Sequence, residues 1–390
     1  MQKGFSTILL LVIVVFALLA GAMYWFMYKP TNELAQTVIP KKATISSIVY
    51  NKNNSIWVAN DDGTNQVNTN ISGSEPVLSP DRKWIAYVKD NDIYKYNIET
   101  KQQKKLTNQG LKETEELVGT KPTYLKWSPD GKYISFVFII DRCIGLCDNP
   151  KMNPEGIKEG LWSVDSEGQN STFLVSFSEE QIGHLSNYYT KWLPESDAII
   201  YREYTKDFEN PLGNLKVISI SDKQIRDYEL QGVGGLDWSL DGNKMVYATL
   251  SRWDKNSQGL ATSMVIDKIY FREGNNKRVI FENPKHDSIF YSDNNISEQN
   301  LSPDGTKVFF IDSSNFLGDP FSYRIVDLSA NKEFKFGETL NNLPFKFGKF
   351  KNWTDDSQRL VFYVPEQNMA GKLWSIKYDG SDPKIIIDLN

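Results

Sequence analysis

Large apolar residues alternate with other residues in six short segments, and each alternation follows a turn-forming sequence. A period of two is typical of a strand that buries one face. Each segment therefore predicts the end of one strand, a tight turn and a second strand. The six segments are LSPDRKWIAY from Leu78, WSPDGKYISF from Trp127, WLPESDAIIY from Trp192, WSLDGNKMVY from Trp238, LSPDGTKVFF from Leu301 and WTDDSQRLVF from Trp353.

The residues between the two strands explain why the chain reverses there. In the second segment Ser128 opens the turn, and the ring of Pro129 already holds φ near the required value. Asp130 can bond to the neighbouring backbone, and Gly131 can adopt a positive φ. This chemistry is that of a tight connection between antiparallel strands.

The remainder of each unit repeats more loosely as a third strand, a short polar turn and a fourth strand. The clearest copies are IWVANDDGTNQVNTN from Ile56, LWSVDSEGQNSTFLV from Leu161 and LWSIKYDGSDPKIII from Leu373. Four antiparallel strands that recur along a chain are typical of the blades of a β-propeller. The sequence therefore predicts an all-β propeller.

Aromatic residues at the tenth position mark the number of units, because Ile48 and Tyr50 begin a further unit that has no recognisable turn before it. The markers are Tyr50, Tyr87, Phe136, Tyr201, Tyr247, Phe310 and Phe362. Seven four-stranded blades fit this spacing best, and six or eight are also compatible with it. Residues Thr37 to Pro40 are a candidate for the first strand of the first unit.

These turns and strands resemble the WD40-like SPDG repeats of TolB-type propellers, which also occur in the N-terminal propeller of dipeptidyl peptidase IV and prolyl oligopeptidase relatives. The resemblance covers roughly residues 45 to 390. It implies the fold and says little about function, because the shared residues are turn and core residues. The related peptidases continue into an α/β-hydrolase domain with a G-x-S-x-G elbow. This chain stops before one could begin, so we expect no catalysis.

Three units depart from the turn pattern. Arg82 and Ser357 stand where glycine is preferred, and residues 193–197 have lost both the serine and the glycine. We expect these three turns to be looser than the others.

Composition agrees with a soluble β-rich body. Aromatic residues make up 13% of the chain and charged residues 24%, with a formal net charge of -5. Such a chain can bury a large core and stay soluble. Because there is no surplus of basic residues, the sequence predicts no nucleic-acid partner.

The N-terminus differs from this polar average. Residues 8–28 carry no charged side chain, and Tyr24, Trp25 and Tyr28 lie at their far end. An apolar stretch of about 20 residues can span a bilayer as a helix, with aromatic residues at the interface. We interpret residues 8–28 as an uncleaved transmembrane signal anchor. A cleaved signal peptide is the alternative, since Ala20-Gly21-Ala22 fits a cleavage site.

The predicted anchor divides the chain into four parts. Residues 1–7 would be a short basic head, 29–42 a stalk and 43–390 the propeller. Counting lysines alone does not place the propeller outside, because Lys29, Lys41 and Lys42 follow the apolar run while Lys3 precedes it. Long domains translocate largely regardless of such charges. We therefore expect a single-pass protein with an extracytoplasmic propeller.

Few residues are candidates for chemistry. Cys143 and Cys147 are the only cysteines, and in an oxidising compartment they predict a local disulfide, with free thiols as the alternative. A zinc site is disfavoured because only His184 and His286 could complete it. The sequence predicts no catalytic residue, metal or cofactor.

Variation in the length of the segments that connect the strands is the main functional signal. The long segments follow second strands or join consecutive units, which places them all at one end of a propeller. Binding residues are concentrated on such loops. The candidate binding residues there are Arg142, Arg202, Arg252, Trp253 and Phe316, whereas Trp127, Trp192, Trp238 and Trp353 share one repeat position and are predicted to pack between blades. The sequence thus predicts a non-catalytic propeller that binds a protein or an envelope polymer, with a polysaccharide hydrolase or lyase as the alternative.

Overall fold

The structure is a computed structural model. It describes residues 47–108, 121–139, 158–177, 189–203, 213–255, 261–282, 300–312, 322–335, 349–366 and 369–390. The chain divides into two compact units, Met1–Ile45 and Ser46–Asn390. The predicted head, anchor and stalk lie outside the described residues, as does the strand proposed for Thr37 to Pro40. None of the described residues belongs to a helix long and apolar enough to cross a membrane.

The described ranges contain 27 strands in seven antiparallel sheets, and each sheet is built from consecutive strands. Sheets one to three are β1 (Ser47–Lys52), β2 (Ser55–Asn60), β3 (Val67–Asn68); β4 (Ser74–Leu78), β5 (Trp84–Lys89), β6 (Asp92–Asn97), β7 (Gln103–Lys105); and β8 (Lys121–Trp127), β9 (Tyr133–Ile139), β10 (Gly160–Asp165), β11 (Ser171–Ser176). Sheets four and five are β12 (Thr190–Trp192), β13 (Ala198–Glu203), β14 (Asn214–Ser219), β15 (Ile225–Asp227); and β16 (Val233–Trp238), β17 (Lys244–Lys255), β18 (Ala261–Glu273), β19 (Asn276–Glu282). Sheets six and seven are β20 (Asn300–Leu301), β21 (Lys307–Asp312), β22 (Ser322–Asp327), β23 (Lys332–Lys335); and β24 (Lys349–Trp353), β25 (Arg359–Glu366), β26 (Met369–Lys377), β27 (Lys384–Asp388).

The sheets are the seven blades of a propeller, as predicted, and we number them 1 to 7 in chain order. Blades 2 to 7 have four strands each. Blade 1 has three described strands, which correspond to the second, third and fourth strands of the other blades. Ile48 and Tyr50 on β1 are buried, as expected for the eighth and tenth positions of the repeat.

The hydrophobic core is divided among the seven interfaces between neighbouring blades. Six clusters join consecutive blades along the chain. The seventh joins the two ends of the ring, because Tyr50 and Ala59 of blade 1 pack there with Val361 and Ile387 of blade 7. The aromatic markers Tyr50, Tyr87, Phe136, Tyr201, Tyr247, Phe310 and Phe362 are 0% to 6% exposed. Burial of these side chains therefore closes the ring.

Hydrogen bonds inside each turn explain the SPDG pattern. The Ser128 hydroxyl donates to Asp130 Oδ1 at 2.7 Å and accepts the Tyr133 N–H at 3.0 Å. The same carboxylate oxygen accepts the Lys132 N–H at 3.0 Å. Gly131 has a φ of 71°, which a residue without a side chain adopts at little cost. The turn is thus held by its own serine and aspartate.

The three unusual turns are not looser, which corrects the sequence-based expectation. Arg82, Ser196 and Ser357 occupy the glycine position with φ between 60° and 65°. Each side chain reaches a neighbour instead. The Ser196 hydroxyl accepts the Asp130 N–H at 3.0 Å, and the Ser357 hydroxyl accepts the Asp304 N–H at 3.1 Å. These contacts join turns of adjacent blades.

Arg82 makes the equivalent contact across blade 1. Its guanidinium donates to the Ser47 carbonyl of blade 1 at 2.8 Å and forms an ion pair with Asp355 in the turn of blade 7. We call the six turns, residues 79–83, 128–132, 193–197, 239–243, 302–306 and 354–358, the turn collar. The arginine side chain thus contacts both blade 1 and the turn of blade 7.

The repeated tryptophans lie between blades. Trp192 and Trp353 are buried, whereas Trp127 and Trp238 are partly buried and pack against inter-blade clusters. Trp127 Nε1 donates to the carbonyl of Val77 at 3.2 Å, and Trp192 Nε1 donates to the carbonyl of Lys126 at 3.1 Å. Each of these two bonds reaches the first strand of the preceding blade.

Candidate binding end and inner wall

The antiparallel order of the strands separates two kinds of connection. First-to-second and third-to-fourth connections emerge at one end of the propeller, which we call the turn end. Second-to-third connections and the links between blades emerge at the opposite end, which we call the connection end. The turn collar lies at the turn end, so its short, similar turns leave little room for variation there.

The connection end is uneven. Blades 1 and 2 close it with the two-residue turns Asn53-Asn54 and Asp90-Asn91, in which all four residues have positive φ. Such turns match the twist of a hairpin. The second and third strands of blades 3, 4 and 6 are separated at this end by the longer segments 140–159, 204–213 and 313–321, and blades are joined by 106–120, 177–189, 283–299 and 336–348. Chain length beyond the strands is thus concentrated over one arc of the ring.

Blade 5 adds a two-stranded ribbon to this end. Strands β17 and β18 have 12 and 13 residues, and they remain paired beyond Thr249 and Lys268. Within the described ranges, β17 pairs with β16 only as far as Thr249, and β18 pairs with β19 only from Lys268 onwards. We call residues 250–255 with 261–267 the ribbon. The candidates Arg252 and Trp253 therefore lie on paired strand, opposite Val265 and Met264 of the ribbon.

Arg202 is the candidate that the structure places differently. It is 4% exposed, and its guanidinium donates to the carbonyls of Val233 at 2.9 Å and Gly234 at 3.0 Å. The guanidinium also lies over the ring of Tyr189 at 5.2 Å. Arg202 therefore ties blade 4 to blade 5 and is not an exposed binding residue. The other candidates, Arg142, Phe316, Cys143 and Cys147, lie outside the described residues.

The first strands of neighbouring blades contact one another, as β4 and β8 do, so these strands line the axis of the ring. We call β4, β8, β12, β16, β20 and β24 the inner wall. Lys126, Lys191 and Asp237 hold the position just before the repeated tryptophan in three successive blades. Lys191 forms an ion pair with Asp237, and Asp237 Oδ2 accepts the Leu301 N–H of the next blade at 2.8 Å. Polar side chains thus link the inner strands of blades 4 to 6.

Lys126 differs from Lys191 because its partner is uncharged. Its ammonium group donates to the carbonyl and to the hydroxyl of Thr190 in blade 4, with a distance of 3.3 Å to Oγ1. Burial, and secondly the positive charge of Lys191, lowers the pKa of Lys126 to about 8. Sequence reasoning missed this residue. The signal that could have found it is its shared repeat position with Lys191 and Asp237.

Two strained residues stand on the inner wall towards the connection end. Glu75 on β4 and Tyr124 on β8 hold the same repeat position and have φ of 54° and 55°. The Tyr124 N–H donates to Glu75 Oε2 at 3.3 Å, and the side chain of Tyr124 is 38% exposed. Burial, followed by the charge of Glu75, raises the pKa of Tyr124. Left-handed residues of this kind are strained and often mark functional positions.

The described inner wall contains two carboxylates, Glu75 and Asp237, and they lie in blades 2 and 5. Asp237 is engaged by Lys191 and by the Leu301 N–H. In the described part of the chain no group of three or more His, Cys, Asp or Glu residues could hold a metal ion. The arrangement is suited to holding charged or polar ligand groups.

The fold and the repeats define a seven-bladed β-propeller, and the predicted resemblance is confirmed. The family model for the dipeptidyl peptidase IV (DPP IV) N-terminal region matches residues 58–159. No curated protein matches the chain.

Solved structures share the fold at low sequence identity. The β-propeller domain of the Trilobed protease from Pyrococcus furiosus is 14% identical with a TM-score of 0.50, over 88% of this chain and 94% of that one. An oligogalacturonate lyase in complex with manganese is 13% identical with a TM-score of 0.50, over 82% and 81%. TolB from Acinetobacter baumannii is 16% identical with a TM-score of 0.40, and the match covers 74% of this chain and 62% of the TolB chain.

Proposed function

We propose that this protein is a membrane-anchored, extracytoplasmic propeller that binds a protein or a cell-envelope polymer through its connection end, without catalysing a reaction. The observation that carries the proposal is the one-sided distribution of chain length. A closed ring of blades supplies the rigid scaffold, and the strand ends that precede the longer segments and the ribbon all lie at the same end. Recognition surfaces are commonly built in this way.

The turn end is poorly suited to the same role. Contacts between neighbouring turns fix the backbone there, as in the bonds to Ser196 and Ser357. A surface made of six near-identical turns offers little that distinguishes one ligand from another. The connection end combines different segments over blades 3 to 6, which favours specific recognition.

Attachment to a membrane is supported by the sequence of residues 8–28, which is uncharged and long enough for a bilayer. An extracytoplasmic location agrees with the close pair Cys143 and Cys147, because disulfides persist in oxidising compartments. Labelling of intact cells with a membrane-impermeant thiol reagent, before and after reduction, tests the location of the propeller and the disulfide.

Polysaccharide hydrolysis or lysis is the less supported alternative. Hydrolysis of a glycosidic bond normally needs two carboxylates that flank the bond. The described inner wall has Glu75 and Asp237 in blades separated by two others, and Asp237 is committed to Lys191. The solved lyase of similar fold acts on oligogalacturonate, and at its low identity that similarity concerns the fold alone.

The test removes the ribbon from the full-length chain. Residues 250–267 would be replaced by Asn-Gly, which joins the paired residues Thr249 and Lys268 through a two-residue turn like those of blades 1 and 2. Binding is measured by co-purification of envelope components with the membrane-extracted protein, quantified by mass spectrometry. We expect the shortened protein to keep its thermal unfolding transition and to lose the captured component.

The matched control changes the turn end. Lys132→Ala and Leu240→Ser together alter two exposed side chains of the turn collar, of which Leu240 is 81% exposed. This variant should capture the same component as the wild type. Loss of capture in the control, with normal capture after ribbon removal, would assign recognition to the turn end and overturn the proposal.

A further inference from the structure

The inner wall between blades 3 and 4 carries a positive charge that no described carboxylate neutralises. Among the described residues, Lys126 donates to the carbonyl and hydroxyl of Thr190 alone. The charged group that helps to lower its pKa is another cation, Lys191, which is itself paired with Asp237. Of the three groups Lys126, Lys191 and Asp237, two are positive and one is negative, so one positive charge is left over.

The position of Lys126 makes this charge unusual. Lysine is rarely buried without a partner, because its ammonium group loses hydration. Lys126 is partly buried within the first strand of blade 3, and burial lowers its pKa to about 8. An ammonium group has three hydrogens, and Thr190 supplies two acceptor atoms. One hydrogen of Lys126 therefore has no acceptor among the described residues.

We propose that Lys126, oriented by Thr190, is a carboxylate-binding subsite on the inner wall of the propeller. The ligand is a monoanion, because one surplus positive charge matches one negative charge. Its carboxylate accepts a hydrogen bond from Nζ of Lys126 and offsets the repulsion between Lys126 and Lys191. The subsite is independent of the proposed recognition through the connection end, since it requires no part of the ribbon.

Sugar acids and amino acids are two chemical sources of such a carboxylate. Tyr124 lies two residues before Lys126 on the same strand; it is 38% exposed, and its backbone N–H donates to Glu75 Oε2 at 3.3 Å. An aromatic side chain on the same strand as a cation suits a ring that bears a carboxylate, such as a uronic acid. Galacturonate and glutamate are therefore the probes that separate the two sources, with galactose and potassium chloride as controls for the uncharged ring and for ionic strength.

The experiment follows the titration of Lys126 by NMR in the full-length chain with 13C-labelled lysine Cε. The resonance is assigned by its absence from Lys126→Met, and from Lys126→Arg if the methionine variant does not fold. Without ligand the midpoint should lie near 8. A saturating carboxylate should raise it by about one pH unit, because an opposite charge at close range stabilises the protonated form.

Binding of the same probes by calorimetry gives a second measurement. Lys126→Met should lower affinity about tenfold or more, the usual loss for a hydrogen bond to a charged group. Lys132→Met, a change of an exposed lysine at the turn end, should leave it unchanged. A response to galacturonate alone identifies a sugar acid, and a response to glutamate alone identifies an amino acid or peptide.

Three results would overturn the proposal. The first is a midpoint near 10.5 in the free protein, which would mean an ordinary solvated lysine. The second is a midpoint that neither carboxylate moves further than potassium chloride does. The third is an equal response to phosphate, which would make the site a general anion contact.

Discussion

Arg82 offers a direct test of how the ring is closed. Replacing it with glycine removes the bond to the Ser47 carbonyl and the ion pair with Asp355. A hydrogen bond from a charged donor contributes about 1.5–3 kcal/mol, and a partly exposed ion pair adds about 0–1 kcal/mol. The same change relieves the left-handed strain of a non-glycine residue, worth about 1–2 kcal/mol. Arg82→Gly should therefore lower the free energy of unfolding by about 1 kcal/mol.

Arg82→Ala separates the two contributions, because alanine keeps the strain and loses the contacts. It should be less stable than Arg82→Gly by about 1 kcal/mol. Urea unfolding of the full-length chain measures both variants, and hydrogen exchange of the β1 and β2 amides reports opening of the seam between blades 1 and 7. Lys83→Ala, at an exposed neighbouring position, is the control. If Arg82→Gly is more stable than the wild type, or β1 exchanges no faster, the bridge does not hold the ring closed.

Three further predictions concern the core, the inner wall and the thiols. Trp192→Ala should lower the free energy of unfolding, measured in urea, by about 3–5 kcal/mol, because it removes a buried side chain and its bond to the Lys126 carbonyl. A loss below about 1 kcal/mol would contradict this packing. The pKa of Lys126 is lowered to about 8, so above that pH the unfolded chain binds more protons than the folded protein. The free energy of unfolding of the wild type should therefore rise relative to that of Lys126→Met by about 2 kcal/mol from pH 8 to about pH 9.5. Parallel pH profiles of the two proteins would refute this. Native protein should take up thiol-alkylating label at Cys143 and Cys147 only after reduction, and ready labelling beforehand would argue against the disulfide.

The blades could be predicted from sequence because their signals are local. A turn such as Ser128 to Gly131 makes its own hydrogen bonds, and the alternation after it reports one buried face. Contacts between blades are not local, and they explain why the turns at Arg82 and Ser357 are not loose. A side chain in place of glycine strains a turn in isolation, but here it bonds to a turn of a neighbouring blade.

Arg202 shows the limit of the alternation itself. A blade in a ring is buried on both faces, so β13 carries two interleaved sets of buried residues. Ile199 and Tyr201 pack towards blade 3, whereas Ala198 and Ile200 pack towards blade 5. Arg202 continues the second set and ends against the Val233 and Gly234 carbonyls of blade 5, where its charge is satisfied. Its spacing of two from Ile200 is the signal that would have indicated burial.

The two ends of the ring are shaped by different physical constraints. At the turn end, the glycine position of one turn contacts the preceding turn, as at Ser196 with Asp130 and at Ser357 with Asp304. Insertion of residues there would break bonds in two blades at once. At the connection end, each strand can be followed by a chain of any length, because the blade is already complete. The uniform turns and the uneven connections are therefore consequences of the same closed ring, and only the connections can change in length without breaking bonds between neighbouring turns.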